Sequence, residues 1–544
     1  MKLSSCLLAT LLVFTACTNT NTVDLLIHNA KIYMADSSFS VAEAVAIKEG
    51  KIVATGTSEN LLATYKSKET INADGLFVYP GFIDAHAHFY RYGLGLQTAD
   101  LTGTTSWLAI IDTLQSFATT HKEGWLIGRG WDQNDWAVKE FPTNELLNQL
   151  FADRPVLLTR VDGHAAIANN KALELAGINP GDKIVGGTFE TNNNQLTGLL
   201  IDNAVDKVAA QIPLPTAAQM KTALLDAQAN CFAVGLTTVD DCGLDFNEVL
   251  FIDSLQKTGA LKMRLFGMLS DSKKNYDFAL RNGKIKTPFL NVSSFKVYAD
   301  GALGSRGASL LQDYTDKPGW KGFLLSNPQH FDSVAAWLYK NNFQMCTHAI
   351  GDSGNRTILN IYAKYLQTKN NRRWRIEHAQ VVNENDFALF EQYSIIPSVQ
   401  PTHATSDMYW AAQRLGATRE PGAYAFNNLL QQNGWLPLGT DFPVEDISPF
   451  KTFYAAVFRI DAKGYPNGGY QPKNALSRQQ ALQGMTIWAA KSNFEENEKG
   501  SIEKGKWADL ILLDTDLMTA LPQQVLKAQV HKTWVGGQLV YSKF

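Results

Sequence analysis

"PGFIDAHAHF", residues 80–89, ends an apolar run on two histidines, His86 and His88, one residue apart. In an extended strand, side chains i and i+2 point to the same side, so both imidazoles face one point and Asp84 shares their face. Zinc accepts neutral imidazole nitrogens, and a strand-borne pair can be oriented to meet one ion. A packed strand that merely contains histidine would look the same locally. The decision rests on whether other strands supply further ligands at equivalent positions.

Working outward, the run opens a series of eight apolar segments: 76–88, "GLTTVDDCG" (235–243), "LKMRLFGML" (261–269), "SSFKVYADG" (293–301), "QMCTHAIGD" (344–352), "RWRIEHAQ" (373–380), "IPSVQPTH" (396–403) and "LPLGTDFP" (436–443). Helical stretches separate them; "GNRTILNIYAKYLQ" carries Ile358, Ile361, Tyr362 and Tyr365 at helical spacing. Strands alternating with helices predict a parallel α/β architecture, and eight such units predict a (β/α)8 TIM-type barrel with its functional face at the C-terminal strand ends. His348, His378 and Asp441 all fall at such ends. Lys296 sits among apolar residues of the fourth segment. One reading turns it outward, its stem passing the helix layer. In the other it faces the metals, where a desolvated lysine loses its proton and reacts with CO2 to give a carbamate able to bridge two cations.

The flanks read differently. "DLLIHNAKIYMAD", "AVAIKEGKIVATG", "WADLILLDTDL" and "VHKTWVGGQLVYS" are short strands with turn signals, which predicts a small β-sandwich domain built from both chain ends, 17–79 and 495–544. The barrel is expected over 80–494. The gap between its first two segments is too long for a simple connection and carries its own strands, "WLIGRGWD" and "RPVLLTRVDG"; an α/β subdomain is therefore expected at about 105–225.

Composition narrows the function classes. The 544 residues are 45% hydrophobic and 19% charged, and 49 Lys+Arg against 52 Asp+Glu leave no basic excess that would point to nucleic acid. Residues 1–16, with Lys2 ahead of an apolar stretch, read as a removable secretory signal. "FTAC" resembles a bacterial lipobox, implying lipidation of Cys17 and an exported, membrane-anchored lipoprotein. Cys231, Cys242 and Cys346 show no metal or disulfide spacing.

His86-x-His88, Lys296, His348, His378 and Asp441, in that order, resemble the amidohydrolase superfamily. "FKVYADGALGSRGASL", "THAIGD", "RIEHAQ", "PSVQPTHATSD" and "LGTDFPVEDISPF" are similar to its exoenzyme-like branch, which includes N-substituted formamide deformylase. The resemblance spans nearly all of residues 24 to 544. It implies one or two divalent ions, zinc first. His86, His88 and Asp441 would hold one ion and His348 and His378 a second, with carboxylated Lys296 bridging them. It further implies hydrolysis of a non-peptide C–N bond (an amide, an N-substituted formamide or a cyclic amide) by a metal-bound hydroxide, with Asp441 as the base. Deamination of an amidine-type ring on the same metals is the alternative within enzymes, and a lipid-anchored binding protein without catalysis is the alternative outside them. Candidates for contact with a small-molecule substrate are Trp131, Asp132, His164, Arg306, Gln400 and His403. Oligomeric state is left open.

Overall fold

Phe82–Ala87 is buried at every position, the pattern of a strand covered on both faces in a parallel sheet. In the computed structural model, which describes residues 21–543, this strand is one edge of a parallel run. From it the order is Leu236–Leu244, Arg264–Ser270, Leu290–Tyr298, Gln344–Ala349, Arg375–His378 and Ile396–Ser398. The expected signal segment 1–16 and Cys17 lie outside the described residues. Register places Tyr298 beside His348 and Ala349 beside His378, so the strands deliver their candidate residues to one end of the sheet.

The eighth segment closes the ring without forming a regular strand. Leu438 bridges Val399 in parallel, the Ala85 amide donates to the Leu438 carbonyl (3.1 Å), the Asp441 amide to His86 (2.8 Å) and the His88 amide to Phe442 (2.9 Å). Its irregularity has local causes: Pro437 has no amide to donate, and Asp441 turns the chain with φ 65. The result is a TIM-type α/β barrel. Helices cover it, several starting at the caps their sequence dictates. Thr216 and Gln219 form a capping box ahead of Ala217–Ala233, and Asp245 and Glu248 another ahead of Phe246–Lys257.

Two further sheets contain the chain ends. One pairs Lys51–Gly56, Ala44–Lys48, Asn21–His28 and Tyr65–Asn72; the other joins Phe77–Pro80, Lys31–Tyr33 and Val41–Ala42 to the C-terminal strands Leu510–Leu513, Val530–Val535 and Gln538–Ser542. Leu25, Ile27, Val45, Val78, Leu510 and Trp534 belong to one hydrophobic cluster that draws on both sheets. Arg264 ties the barrel to this region through a two-pronged pair with Asp509 (2.7 and 2.9 Å).

The insert is a six-stranded sheet beginning at Ala99–Asp100, upstream of residue 105, and ending at Gln195–Asp202. Ala217–Ala233 packs on the helix Phe89–Gly95 that follows the first barrel strand and so serves the barrel. The described cysteines Cys231, Cys242 and Cys346 are free and buried.

Closure depends on a close approach at Gly439. A Cβ there would stand 2.5 Å from the His86 amide nitrogen and 2.8 Å from its carbonyl oxygen. Gly439→Ala is therefore expected to lower stability by about 1–3 kcal/mol, the usual cost of overpacking. Denaturant unfolding monitored by circular dichroism checks this; unchanged stability would mean that the eighth segment is not held against the first strand there.

Candidate metal centre

His86 is fully buried, and its Nδ1 lies 2.6 Å from Glu377 Oε2. Glu377 also pairs with the buried Arg375 (2.7 Å). Burial works against the charge on Glu377, but Arg375 and His86 prevail and hold its carboxyl below the usual carboxylate range. An ionised carboxylate only accepts, so His86 carries its proton on Nδ1 and turns the Nε2 lone pair inward. His88 is fixed in the same way: Nδ1 donates to the Cys242 carbonyl at 3.0 Å. Burial pushes the His88 imidazole down to about 4, keeping it neutral at ordinary pH.

Both inward lone pairs meet Asp441 Oδ1, 3.5 Å from His86 Nε2 and 3.3 Å from His88 Nε2. No proton is left between these acceptors, and the Asp441 Oδ1 atom is buried without a hydrogen-bond partner. Three converging electron-pair donors in a buried space are the arrangement a cation relieves. His86, His88 and Asp441 offer ligand atoms all within 4.8 Å of one another. Their chemistry, two imidazoles and a carboxylate, suits a divalent metal ion.

His348 and His378 stand beside this group with ring centroids 4.6 Å apart, and His378 is 4.7 Å from His86. His348 Nε2 and His378 Nδ1 are likewise buried without partners. Burial, and then neighbouring imidazoles, lower both well below the ordinary value, which preserves the neutral, ligating form. Lys296 is fully buried inside the barrel and does not pass outward; its Nζ lies 3.3 Å from His86 Nε2. Among the described residues it pairs with no carboxylate within 4 Å.

His403 differs from the other four. Its Nε2 is 3.2 Å from Asp441 Oδ2 and its Nδ1 3.1 Å from Glu445. Burial opposes its charge, but these two carboxylates raise it well above an ordinary imidazole. In that charged form it donates at both nitrogens, although its ligand atom lies within 4.8 Å of those of His378 and Asp441, a second group that could hold an ion. Asp441 is divided between roles, Oδ2 to His403 and Oδ1 to the ligand cluster. Burial again opposes, while the hydrogen bond from His403 holds its carboxyl well below the usual range. His378 (φ 74) and Asp441 (φ 65) both adopt left-handed backbone, a strain of roughly 1–3 kcal/mol per residue that clusters at functional sites.

The centre opens into a cavity of about 590 Å³, walled on one side by the strand ends and on the other by the insert. Asp132, His164 and His403 line it. Asp132 is already paired with Arg160, and His164 Nδ1 is 2.6 Å from Asp202, with its ring 5.1 Å from that of His348. Asp202 fits against Gly301, where a Cβ would lie 2.5 Å from its Oδ1. Trp131, Arg306 and Gln400 do not line the cavity. Trp131 is buried in the insert's core with its indole N–H on the Leu158 carbonyl (2.8 Å). Arg306 pairs with Asp316 (2.9 Å), while the carboxylate of Asp300 accepts from the amides of Ser309, Ile350 and Gly351. Gln400 turns back to the Ser398 carbonyl at 3.2 Å. Sequence reading missed Glu377 and Arg375, although "RWRIEHAQ" places Arg373, Arg375 and Glu377 at alternate positions of one strand segment.

Comparison with known proteins agrees with this geometry. The profile of the amidohydrolase family matches residues 69–541. Protein LONG AFTER FAR-RED 3 of Arabidopsis thaliana is 32% identical over 538 residues, covering 95% of this chain and 91% of that one. N-substituted formamide deformylase of Arthrobacter pascens is 25% identical over 542 residues, 96% of this chain and 98% of that one. An uncharacterized metal-dependent hydrolase from Pyrococcus horikoshii OT3 superposes with a TM-score of 0.76 at 26% identity, covering 92% of this chain and 99% of that one. With four candidate ligand histidines and Asp441 gathered at the barrel's C-terminal face, the chain belongs to the amidohydrolase family and is a hydrolase.

Proposed function

We propose that this hydrolase cleaves a non-peptide C–N bond, in an amide, an N-substituted formamide or a cyclic amide. The observation that carries the reading is the convergence of buried, partnerless acceptor atoms on Asp441, His348 and His378 around His86 and His88. His86, His88 and Asp441 would hold one ion and His348 and His378 another, with Lys296, as its carbamate, between them. Zinc suits this imidazole and carboxylate set. Bound divalent ions would acidify a water and polarise the scissile carbonyl. The similarity to N-substituted formamide deformylase supports an amide-type substrate.

The chain's own residues handle the protons. Asp441, kept ionised, accepts a proton from the attacking water and returns it to the leaving nitrogen as the C–N bond breaks. The products are a carboxylic acid and an amine. His403 donates to Asp441 Oδ2 and keeps that carboxylate from rotating away. Glu377 fixes His86 with its lone pair inward, an outer partner that ligand histidines regularly need. The insert forms the far wall of the cavity.

Replacing Asp441 by Asn is expected to lower kcat on a formamide substrate by about 10²–10⁴-fold with the circular dichroism spectrum intact; near-native turnover would remove it as the base. Glu377→Gln should weaken metal binding about 10–100-fold, read by competition with a chromogenic chelator, whereas unaltered affinity would deny it the orienting role. Stripping the metals should abolish activity, and recovery on adding zinc should require bicarbonate. Full recovery in CO2-free buffer without bicarbonate, or a crystal structure of the active protein showing unmodified Lys296, would favour a single-metal site and with it ring deamination.

A further inference from the structure

Two arginines on the cavity wall have no acid of their own. Arg91, on the helix Phe89–Gly95 just after His88, lines the cavity and is open to its solvent. Arg129, on the insert strand Leu126–Trp131, lines the same cavity. Among the described residues neither has a carboxylate within ion-pair distance. Arg129 spends one Nη2 hydrogen on the Val161 carbonyl (2.9 Å), and its Nε is buried with no partner.

A third donor stands with them. The Tyr298 hydroxyl is buried and partnerless, and its ring is 5.5 Å from that of His348. A Cβ at Gly243 would stand 3.3 Å from this hydroxyl and 3.7 Å from Arg91 Nη2, so both groups converge on one spot beside the metal centre. Burial, and then the charge of Arg91, hold the Arg129 guanidinium below its ordinary value, against the opposing pull of Asp162 and Asp441.

The nearby acids are engaged elsewhere. Asp132 and Asp162 pair with Arg160, Asp202 with His164, and Asp271 with His330. Asp206 is the exception: it lines this wall and, with Tyr298, Glu248 and Asp241, favours the charge on Arg91, but it forms no ion pair with either arginine. Arg160, with its two aspartates, shows what a structural arginine looks like here; Arg91 and Arg129 lack that partnering.

We propose that Arg91, Arg129 and the Tyr298 hydroxyl bind a carboxylate carried by the substrate, so that the substrate is an acidic amide rather than a neutral one. A planar guanidinium offers a two-pronged fit to carboxylate, and the phenol adds a neutral donor. The cluster would orient the scissile amide toward Asp441 by holding the far end of the molecule. This inference rests on the amide-hydrolase reading.

The test compares N-formyl-β-alanine with its methyl ester on the metal-loaded protein, read as kcat/KM where there is turnover and by isothermal titration calorimetry where there is none. The acid should be preferred by about 10- to 100-fold, the span that charge-assisted hydrogen bonds give. The acid-to-ester ratio should collapse in Arg129→Leu and fall in Arg91→Leu, with metal content measured to show that each variant is folded and loaded. Equal preference in the native protein would overturn the proposal. So would a preference that survives both substitutions, since the metal centre itself would then be capturing the carboxylate. An acid preference in binding with neither compound hydrolysed would uphold the cluster and count against the amide-hydrolase reading alone.

Discussion

Arg375 is fully buried in the barrel, and a buried guanidinium persists only when paired and hydrogen-bonded. It reaches Asp240 on the second barrel strand (2.8 Å), Glu377 on its own strand, Ser398 on the seventh (2.9 Å) and the Ala85 carbonyl on the first. Asn493 joins from outside the strands, donating to Asp240 at 2.5 Å. One cation thus holds four strands at the barrel's floor. Because Glu377 is among its partners, the network that joins the strands also fixes the tautomer of His86. Folding and construction of the metal centre share one set of contacts.

Above that floor the chemistry divides by protonation. Four histidines are kept neutral, chiefly by burial, and they are the ones whose lone pairs have nowhere else to go. The fifth, His403, is kept charged by two carboxylates and serves Asp441 instead. The same residue type takes opposite forms within a few ångströms because burial and ion pairing pull imidazole in opposite directions. The insert completes the site from the other side. The ends of its strands and the turn between Arg160 and Ala165 carry Asp132, Asp162 and His164 to the cavity.

Much of this was legible early. Parallel strands buried on both faces read as apolar runs, so all eight barrel segments could be placed from the sequence. His86, His88, Lys296, His348, His378 and Asp441 stood out because a titratable side chain at the end of such a run is conspicuous. Substrate-side residues were not legible on the same terms. Trp131 and Asp132 are neighbours in sequence, yet one enters the insert's core and the other faces the cavity. Arg306 looked free until the chain brought Asp316 to it. Arg91 and Arg129 looked ordinary, because what distinguishes them is the lack of a partner in three dimensions.

The sequence by itself determined the barrel, its order of units, the insert and the positions that converge on a metal centre. These follow from local pattern, because apolar runs and the placement of titratable residues at their ends survive in one dimension. Only the tertiary structure decided which nitrogen of each histidine faces inward, which histidine is charged, and which arginines are left without acids. Those properties depend on groups far apart in sequence, Glu377 against His86 across 291 residues and Asp441 against His403 across 38, meeting in a space too dry for water to stand in for either partner.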